Sequence, residues 1–344
     1  MDEKLNELFY KTVFYLTDTD KLKYARYQAI AGLKPEIQNK YYENAETVSK
    51  SLAFIMKTQL VKRLESSFFA FKMSLIAFKK ATDRMIAMFE NDKVFIAPDT
   101  DVNKLLDKGW NEDDIEKEIE RLAEENPKNQ TFKADDFNEG FLEDLKKDAA
   151  LLKELVTSWN KIDYDPKLDV FVDKLTKQFL NKKTNLEGKL VIFSESKDTV
   201  DYLAKALEQQ GRKDVLVISA KNRKSSYETI VENFDANFPN ESEKEKGREQ
   251  KNDFNIIITT EVLAEGVNLH RSNVVIHYDT PWNSTKLMQR IGRVNRIGTK
   301  SSRIFNYVFY PSAQGDSQIK LNKTAFMKIQ AFHTAFGEDN QVFS

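Results

Sequence analysis

The chain has 344 residues, in which 53 lysines and arginines are balanced by 54 aspartates and glutamates for a net charge of −1. This balance does not indicate a polyanionic partner for the chain as a whole, so any nucleic-acid surface must be a local patch. The absence of cysteine excludes disulfides and thiolate metal sites and fits a reducing compartment. No apolar run approaches the roughly 20 residues of a membrane span, and the acidic N-terminus is unlike a secretory signal. We therefore expect a cytoplasmic protein without a membrane partner.

Periodic apolar residues in the first half of the chain predict long helices. Neither glycine nor proline occurs between residues 36 and 97. Apolar residues recur within this stretch at spacings of three and four, which places them on one helical face. They are Leu52, Met56, Leu60, Leu64, Phe68, Phe71, Leu75 and Phe78. We expect one long helix or two joined helices, then a short strand at 93–97. Helical periodicity returns at 101–163, with a solvated acidic face at 111–126.

After Asp165-Pro166 the pattern changes to short apolar runs that alternate with amphipathic segments. The apolar runs predict five strands, at residues 189–193, 215–218, 256–258, 274–276 and 304–309. The amphipathic segments predict helices, at residues 168–180, 200–211 and 222–235. Strands that alternate with helices are typical of a parallel sheet covered on both faces. A polar stretch without periodicity, residues 239–253, predicts a mobile insertion loop.

These patterns predict the fold class and two domains. We expect an all-α helical domain over residues 1–165, followed by an α/β domain over residues 166–344 with a parallel sheet and flanking helices. The three histidines, His270, His277 and His333, have no partners at metal-ligand spacing, so we expect no metal site.

Three arginines near the end of the α/β part form the first candidate site. Arg290, Arg293 and Arg296 are spaced by three on one predicted helix, with Gln289 beside them. This spacing aims several guanidinium groups in similar directions, which suits a polyanion. An arginine that meets a γ-phosphate stabilises the charge on the transferred oxygens. A solvated basic helix is the alternative interpretation of three arginines taken alone.

A second candidate site follows the predicted strand 256–258. Thr259 and Thr260 come directly after it, where hydroxyl and backbone N–H groups can hold phosphate oxygens. Gly266 then marks a sharp turn, which suits a loop that approaches a ligand. Taken alone, the threonines could equally cap a turn, and the glycine could mean only a change of direction.

Together these segments resemble the motifs of superfamily 2 helicases, and especially of the Swi/Snf-like branch. Their motif VI has the form Gln-x-x-Gly-Arg-x-x-Arg, which Gln289, Gly292, Arg293 and Arg296 match. The Trp282-Asn283 pair is also typical of that branch. Further segments that resemble motifs IV, IVa and V occur in the family's order, at residues 190–194, 218–220 and 256–269. The chain is thus similar to the C-terminal RecA-like lobe of a bacterial helicase, and residues 57–80 look like a helical protrusion between two motor lobes.

The resemblance implies a role for each motif residue. Arg293 and Arg296 would be arginine fingers, with Gln289 beside the nucleotide. A loop linking the nucleotide to DNA would contain the residues of motif V, namely Glu265, Gly266 and Asn268. DNA would be contacted by residues of the remaining motifs, namely Ser194, Ser219, Thr259, Thr260 and Trp282. ATP and Mg²⁺ would be the cofactors of the intact enzyme, and we expect neither to bind to this part alone.

Two motifs of such an NTPase do not occur in the sequence: a glycine-rich loop ending in Gly-Lys-Ser/Thr and an acidic Asp-Glu-x-His motif. In the family both lie on the first RecA-like lobe, so we expect that lobe to precede this sequence in the full-length chain. The resemblance then implies ATP-dependent translocation along nucleic acid, with double-stranded DNA as the expected substrate. We expect this chain to be inactive as an ATPase by itself.

Two alternatives remain open at the sequence level. The chain could be a non-catalytic subunit that binds nucleic acid or protein and retains a RecA-like fold without hydrolysis. Alternatively, its helical half could belong to a restriction or repair complex and mainly bind other proteins.

Overall fold

A computed structural model describes the chain at residues 2–18, 20–41, 45–96, 130–264, 266–281, 284–313 and 315. The chain divides into two compact units. The first comprises Met1–Leu64 and Ala70–Tyr164, and the second comprises Glu65–Phe69 and Asp165–Ser344. No helix within the described ranges is long and apolar enough to cross a membrane.

The first unit is mainly helical. Its helices are α1 (Glu3–Thr17), α2 (Ala29–Gly32), α3 (Pro35–Tyr41), α4 (Ala45–Ser66), α5 (Phe68–Glu90) and α6 (Phe141–Trp159). Two short strands, β1 (Val94–Ile96) and β2 (Gln130–Phe132), pair antiparallel. Strand β2 corrects the prediction of helix throughout 101–163, since aromatic Phe132 packs with Val94 in the core of this unit. The predicted acidic face at 111–126 lies outside the described residues.

The apolar stripe at 52–78, predicted as one long helix or two joined helices, forms two successive helices, α4 and α5. The division between α4 and α5 falls at Ser67. The backbone N–H of Phe68 donates to the carboxylate of Asp165 at 3.0 Å, so one of the unpaired donors at the start of α5 is satisfied from outside the helix. Because this acceptor lies almost 100 positions away in the sequence, helical periodicity alone did not predict where α4 ends and α5 begins.

The second unit contains a five-stranded parallel sheet, and the predicted α/β fold class is confirmed. The strands are β3 (Leu190–Phe193), β4 (Val215–Ile218), β5 (Ile256–Thr259), β6 (Val274–His277) and β7 (Phe305–Val308). The helices are α7 (Pro166–Lys174), α8 (Lys197–Gln209), α9 (Tyr227–Phe234), α10 (Glu241–Glu245) and α11 (Ser284–Val294). In the sheet the strands stand in the order β4-β5-β3-β6-β7, all parallel.

Apolar clusters cover both faces of the sheet. Leu190 and Ile192 belong to one cluster, while Val191 and Phe193 belong to the other. All four side chains are fully buried, as the alternation of side chains along a strand between two covered faces requires. The run of four consecutive apolar residues in the sequence is therefore a central strand.

Two segments of the second unit differ from the sequence prediction. Helix α9 begins only at Tyr227, because residues 219–226 form turns in which Ser219 and Asn222 bond to each other. The predicted insertion loop at 239–253 contains α10, which Asn240 caps. Arg248 in the same segment pairs with three carboxylates, those of Glu228, Glu232 and Glu243. These polar contacts give local structure to a segment that has no apolar periodicity.

The parallel register brings four loops to one edge of the sheet. Phe193 lies opposite both Thr259 and His277, and Ile218 also lies opposite Thr259. The residues that follow β3, β4, β5 and β6 therefore emerge side by side at the carboxyl edge. Ligands of open α/β sheets bind in the crevice at this edge.

Candidate functional site

The three arginines of the predicted basic helix have different surroundings. Helix α11 contains Arg290 and Arg293 but ends at Val294, so Arg296 lies beyond it. Arg290 is fully buried, Arg293 is half-buried and Arg296 is exposed. The expectation that all three point in similar directions was therefore wrong. Three residues turn an α-helix by about 300° rather than a full circle, and the helix ends before the third arginine.

Arg290 anchors α11 to the sheet. Its guanidinium forms ion pairs with Glu195, which follows β3, and with Glu261, which follows β5. It also lies 5.2 Å from the centre of the Phe193 ring. Burial lowers the pKa of Arg290 from its ordinary value, while the negative charge of Glu195 opposes that shift. A charge buried this deeply requires its partners, so Arg290 holds the loops after β3 and β5 against α11.

Arg296 is the arginine that faces solvent, and its side chain has a fixed partner. Its Nη1 donates to Oδ1 of Asn268, in the loop after β5. The backbone N–H of Leu269 donates to the carbonyl of Arg293 at 2.9 Å, so the same loop is joined to the end of α11. An exposed guanidinium held beside the loop after β5 can meet an anion there.

Gly266 brings the same loop close to the turn after β4. Its φ of +81° lies in the left-handed region, and a Cβ at this position would lie 2.6 Å from Nη2 of Arg223. The absence of a side chain at Gly266 thus allows the guanidinium of Arg223 to approach the backbone. The turn after β4 and the loop after β5 therefore approach each other at the side chain of Arg223.

The hydroxyl residues predicted to contact DNA lie at the carboxyl edge but differ in accessibility. Ser194 is fully buried, and its Oγ donates to Asp279. Thr259 is also fully buried, and its Oγ1 donates to the carbonyl of Ile218 at 3.1 Å. Thr260 is 6% exposed, and Ser219 is half-buried. The structure thus places the hydroxyl groups of Ser194 and Thr259 inside the unit.

Comparison with known proteins finds a family that is similar to the segment carrying these residues. Residues 170–298, which include β3 to β6, α11 and Arg296, match the family described as helicase conserved C-terminal domain. The likeness to this family covers that segment, which is less than half of the chain.

Proteins similar to this chain include ones that are named as helicases. The chain is 26% identical over 191 residues to an uncharacterized ATP-dependent helicase, YqhH, of Bacillus subtilis, covering 53% of this chain and 30% of that protein. It is 26% identical over 164 residues to a probable eukaryotic initiation factor 4A of Trypanosoma cruzi, covering 48% and 35%. The chain therefore spans about a third of the length of these relatives.

One solved structure aligns along most of the chain. The C-terminal part of the Fun30 ATPase domain shows 14% identity and a TM-score of 0.40, over 94% of this chain and 85% of that one. A TM-score this low shows only a loose likeness between the two chains.

The remaining predicted residues are distributed as follows. Gln289 is half-buried on α11, two positions after the buried Leu287. Glu265, Trp282 and Asn283 lie outside the described residues. Gln289, Gly266, Asn268, Arg293 and Arg296 all belong to α11 or to the loops that α11 contacts.

The sequence analysis missed several polar residues of the α/β unit that the structure places in contact with the predicted site residues or their loops. Glu195, Glu261 and Asp279 pair with buried groups, and Asp235 bonds to Asn268. A basic turn follows β4 and contains Lys221, Arg223 and Lys224, with both lysines exposed. The run Lys-Asn-Arg-Lys directly after an apolar strand was the signal that could have identified the turn. The acidic partners have no comparable local signal.

No group of three or more histidine, aspartate or glutamate side chains lies close enough to hold a metal ion within the described residues. The guanidinium of Arg223 and the ammonium groups of Lys221 and Lys224 lie in the turn after β4, at the carboxyl edge. These groups donate hydrogen bonds to anions, so the edge fits phosphate oxygens of a nucleotide or of a nucleic-acid backbone.

Proposed function

We propose that this chain supplies the second motor lobe of an ATP-dependent helicase or translocase of superfamily 2, in the Swi/Snf-like branch. The observation that carries the proposal is Arg296, an exposed arginine that Asn268 holds just beyond α11, within the segment that matches the helicase C-terminal family. Similarity to ATP-dependent helicases supports the reaction class.

The proposed site for nucleotide comprises Arg293, Arg296, Gln289, Gly266 and Asn268, together with Glu265 of the same loop. Bound ATP with Mg²⁺ would supply the phosphoanhydride whose hydrolysis drives movement. In this proposal Arg293 and Arg296 donate hydrogen bonds to the γ-phosphate oxygens and stabilise the negative charge that spreads over them. A first lobe with the phosphate loop must bring the nucleotide to these side chains, and the chain by itself is inactive.

The proposed contact with nucleic acid lies on the basic turn after β4. Lys221 and Lys224 are exposed there, beside Arg223. Thr260 and Ser219 extend this proposed surface along the carboxyl edge, and Trp282 is a further proposed contact from the motif pattern. The buried Ser194 and Thr259 would contribute by shaping the edge and its backbone N–H groups. Contacts of this kind bind the phosphate backbone and do not read base sequence.

The proposed substrate is double-stranded DNA, because the Trp282-Asn283 pair is typical of the Swi/Snf-like branch. RNA is the second candidate. It is favoured by the similarity of nearly half the chain to proteins named initiation factor 4A and ATP-dependent RNA helicase DBP2, the latter from Candida glabrata at 26% identity over 157 residues.

The binding surface can be tested with the purified 344-residue chain. We expect Lys221→Ala/Lys224→Ala to weaken binding to labelled duplex DNA about tenfold, because two phosphate contacts and their released counterions are lost. The matched control is Lys182→Ala/Lys183→Ala, two exposed lysines in the turn before β3, at the opposite edge of the sheet. Fluorescence anisotropy with duplex DNA, single-stranded DNA and single-stranded RNA separates the substrates. Equal losses in both double variants would contradict the assigned surface, and preference for RNA would replace the DNA proposal.

The nucleotide site requires a separate assay. We expect the 344-residue chain to release no phosphate from ATP, with or without nucleic acid, because its sequence contains no phosphate loop. Hydrolysis stimulated by DNA and abolished by Arg296→Ala would contradict the proposal that another lobe holds the ATP.

A further inference from the structure

We infer that Asp235 is a positioning residue that fixes the orientation of Arg296 through the side-chain amide of Asn268. This inference rests on the proposed role of Arg296 as an arginine finger. Asp235 directly follows α9, and its carboxylate is 13% exposed. Its Oδ2 accepts from Nδ2 of Asn268 at 3.1 Å, and its Oδ1 accepts from the backbone N–H of Asn237 at 2.9 Å.

The carboxylate determines which end of the Asn268 amide faces the arginine. A carboxylate can only accept, so it bonds to the amide nitrogen and leaves Oδ1 of Asn268 directed toward Nη1 of Arg296. With the amide reversed, its NH₂ group would face the guanidinium, and two donors would be opposed. Asp235 therefore selects the amide orientation in which Asn268 can hold Arg296.

Further contacts join the segment around Asp235 to the segments that carry Asn268 and Arg296. The N–H of Arg271 donates to the carbonyl of Phe234, at the end of α9, at 3.0 Å. Gly298, two residues after Arg296, lies so close to Asn237 that an added Cβ would be 2.5 Å from its Oδ1. The residues on either side of Asp235 thus contact the chain just beyond Asn268 and just beyond Arg296.

The buried His270 adds an electrostatic link. Its Nδ1 lies 3.6 Å from Oδ1 of Asp235. Burial lowers the pKa of His270, the charge of Asp235 raises it and the charge of Arg296 lowers it. The imidazole is therefore within the field of both charged groups.

Helix capping does not explain the carboxylate. Asp235 occupies the C-cap of α9, where the helix dipole places partial negative charge and disfavours an acidic side chain. Its two bonded hydrogen-bond donors lie outside α9. The placement is explained by the bond to Asn268 and the nearby positive charge of Arg296.

The test uses the full 344-residue chain and the side-chain N–H signals of Arg296 in NMR, assigned by their loss in Arg296→Ala. We expect Asp235→Ala to increase hydrogen exchange of the Arg296 guanidinium at least fivefold, since Asn268 is then free to rotate. Asp214→Ala is the matched control, because it removes a carboxylate that pairs with Arg212 before β4 and bonds to neither Asn268 nor Arg296. Unchanged exchange in Asp235→Ala overturns the inference.

A reciprocal exchange distinguishes positioning from a general structural role. Asn268→Asp alone sets two carboxylates against each other, so we expect the guanidinium of Arg296 to become mobile. In Asp235→Asn/Asn268→Asp the amide donates to the new carboxylate, which still accepts from Arg296, so we expect exchange to return to within about twofold of wild type. No recovery in a double variant that melts at the wild-type temperature overturns the inference.

The same variants in the intact enzyme separate the two proposals. We expect Asp235→Ala to lower kcat for ATP at least tenfold with little change in KM, and the double variant to restore it. If Arg296→Ala leaves kcat unchanged, the proposed function fails. If Arg296→Ala abolishes hydrolysis while Asp235→Ala has no effect, only the positioning role fails.

Discussion

Arg290 and Arg296 are close in sequence but have different roles, because Arg290 is buried and Arg296 is exposed. Arg290 is fully buried, where two carboxylates compensate its charge. Arg296 is exposed, and its observed partner is a neutral amide that leaves the positive charge uncompensated by that contact. A nearby anion gains more from an uncompensated guanidinium than from one already paired with carboxylates. Within this pair, the candidate for phosphate binding is therefore Arg296.

A buried histidine provides a residue-scale prediction for the α/β unit. Burial lowers the pKa of His277 to about 3, against an ordinary value of 6.5. The folded protein keeps this imidazole neutral, while the unfolded chain takes up a proton as the pH falls below 6.5. The stability contributed by His277 is therefore complete above that pH and is lost as the pH falls toward 3. Between pH 7.5 and pH 5 we expect the free energy of unfolding to fall by about 2 kcal/mol on this account.

His277→Leu is the variant that checks this prediction. Neither ring nitrogen of His277 has a hydrogen-bond partner among the described residues, so leucine breaks no side-chain hydrogen bond there. Urea denaturation at several pH values should show a flatter profile for the variant. Identical slopes for the two proteins would contradict the assignment. His270 titrates in both proteins and cancels in the comparison.

At the scale of elements, the site is built from loops rather than from helices or strands. The parallel register places the loops after β3, β4, β5 and β6 at one edge. The ion pairs of Arg290 and the contact between Gly266 and Arg223 then join those loops. A change in one loop should therefore alter the position of charged groups on its neighbour.

Gly266→Ala tests the contact between two of these loops. The added Cβ must displace the guanidinium of Arg223, so we expect binding of duplex DNA to weaken about threefold to tenfold. Both this variant and its control, Gly211→Ala, place alanine at a positive φ, and each should lose roughly 1 kcal/mol of stability. Gly211 has no atom within 4 Å of its added Cβ, so its DNA affinity should stay unchanged. Equal affinities in the two alanine variants would argue against the role of this contact.

At the scale of the whole molecule, the α/β unit is discontinuous in sequence. Residues 65–69, which span the end of α4 and the start of α5, belong to it together with Asp165–Ser344. Nζ of Lys167 donates to the carbonyls of Glu65 and Ser66 at 2.8 and 3.0 Å and pairs with Asp279 at 3.3 Å. The ammonium group satisfies carbonyls at the end of α4, where a helix leaves acceptors unpaired. Long-range polar contacts thus hold a distant segment in this unit.

Lys167→Met should weaken the attachment of residues 65–69. Methionine keeps much of the apolar stem but removes the ammonium donor from two carbonyls and from the carboxylate of Asp279. We therefore expect the free energy of unfolding to fall by about 2–4 kcal/mol. Urea denaturation measures the stability, and trypsin cleavage after Arg63 or Lys72 should become faster. The control is Lys174→Met on the same helix, where the side chain bonds only to Gln178 at a solvent-exposed position. Similar losses in both variants would refute the special role of Lys167.

Local sequence patterns predicted the α/β class, the five strands and the order of the candidate motifs. A strand such as Leu190–Phe193 is recognised by consecutive apolar residues, because burial on both sheet faces requires them. Motif residues such as Gln289 and Arg296 are recognised by their spacing within a few turns of chain. These features depend on neighbours in sequence and can be read from a single segment.

The break between α4 and α5, the burial of Arg290 and the orientation of Arg296 were decided by the tertiary structure. Each depends on a partner far along the chain: Asp165 for Phe68, Glu195 for Arg290, and Asp235 with Asn268 for Arg296. Such pairs leave no periodicity in the sequence, since hydrogen bonds and ion pairs form between groups that folding brings together. Residue type and spacing therefore identify which groups can act at the edge of this sheet, while packing determines which of them face solvent and in what direction.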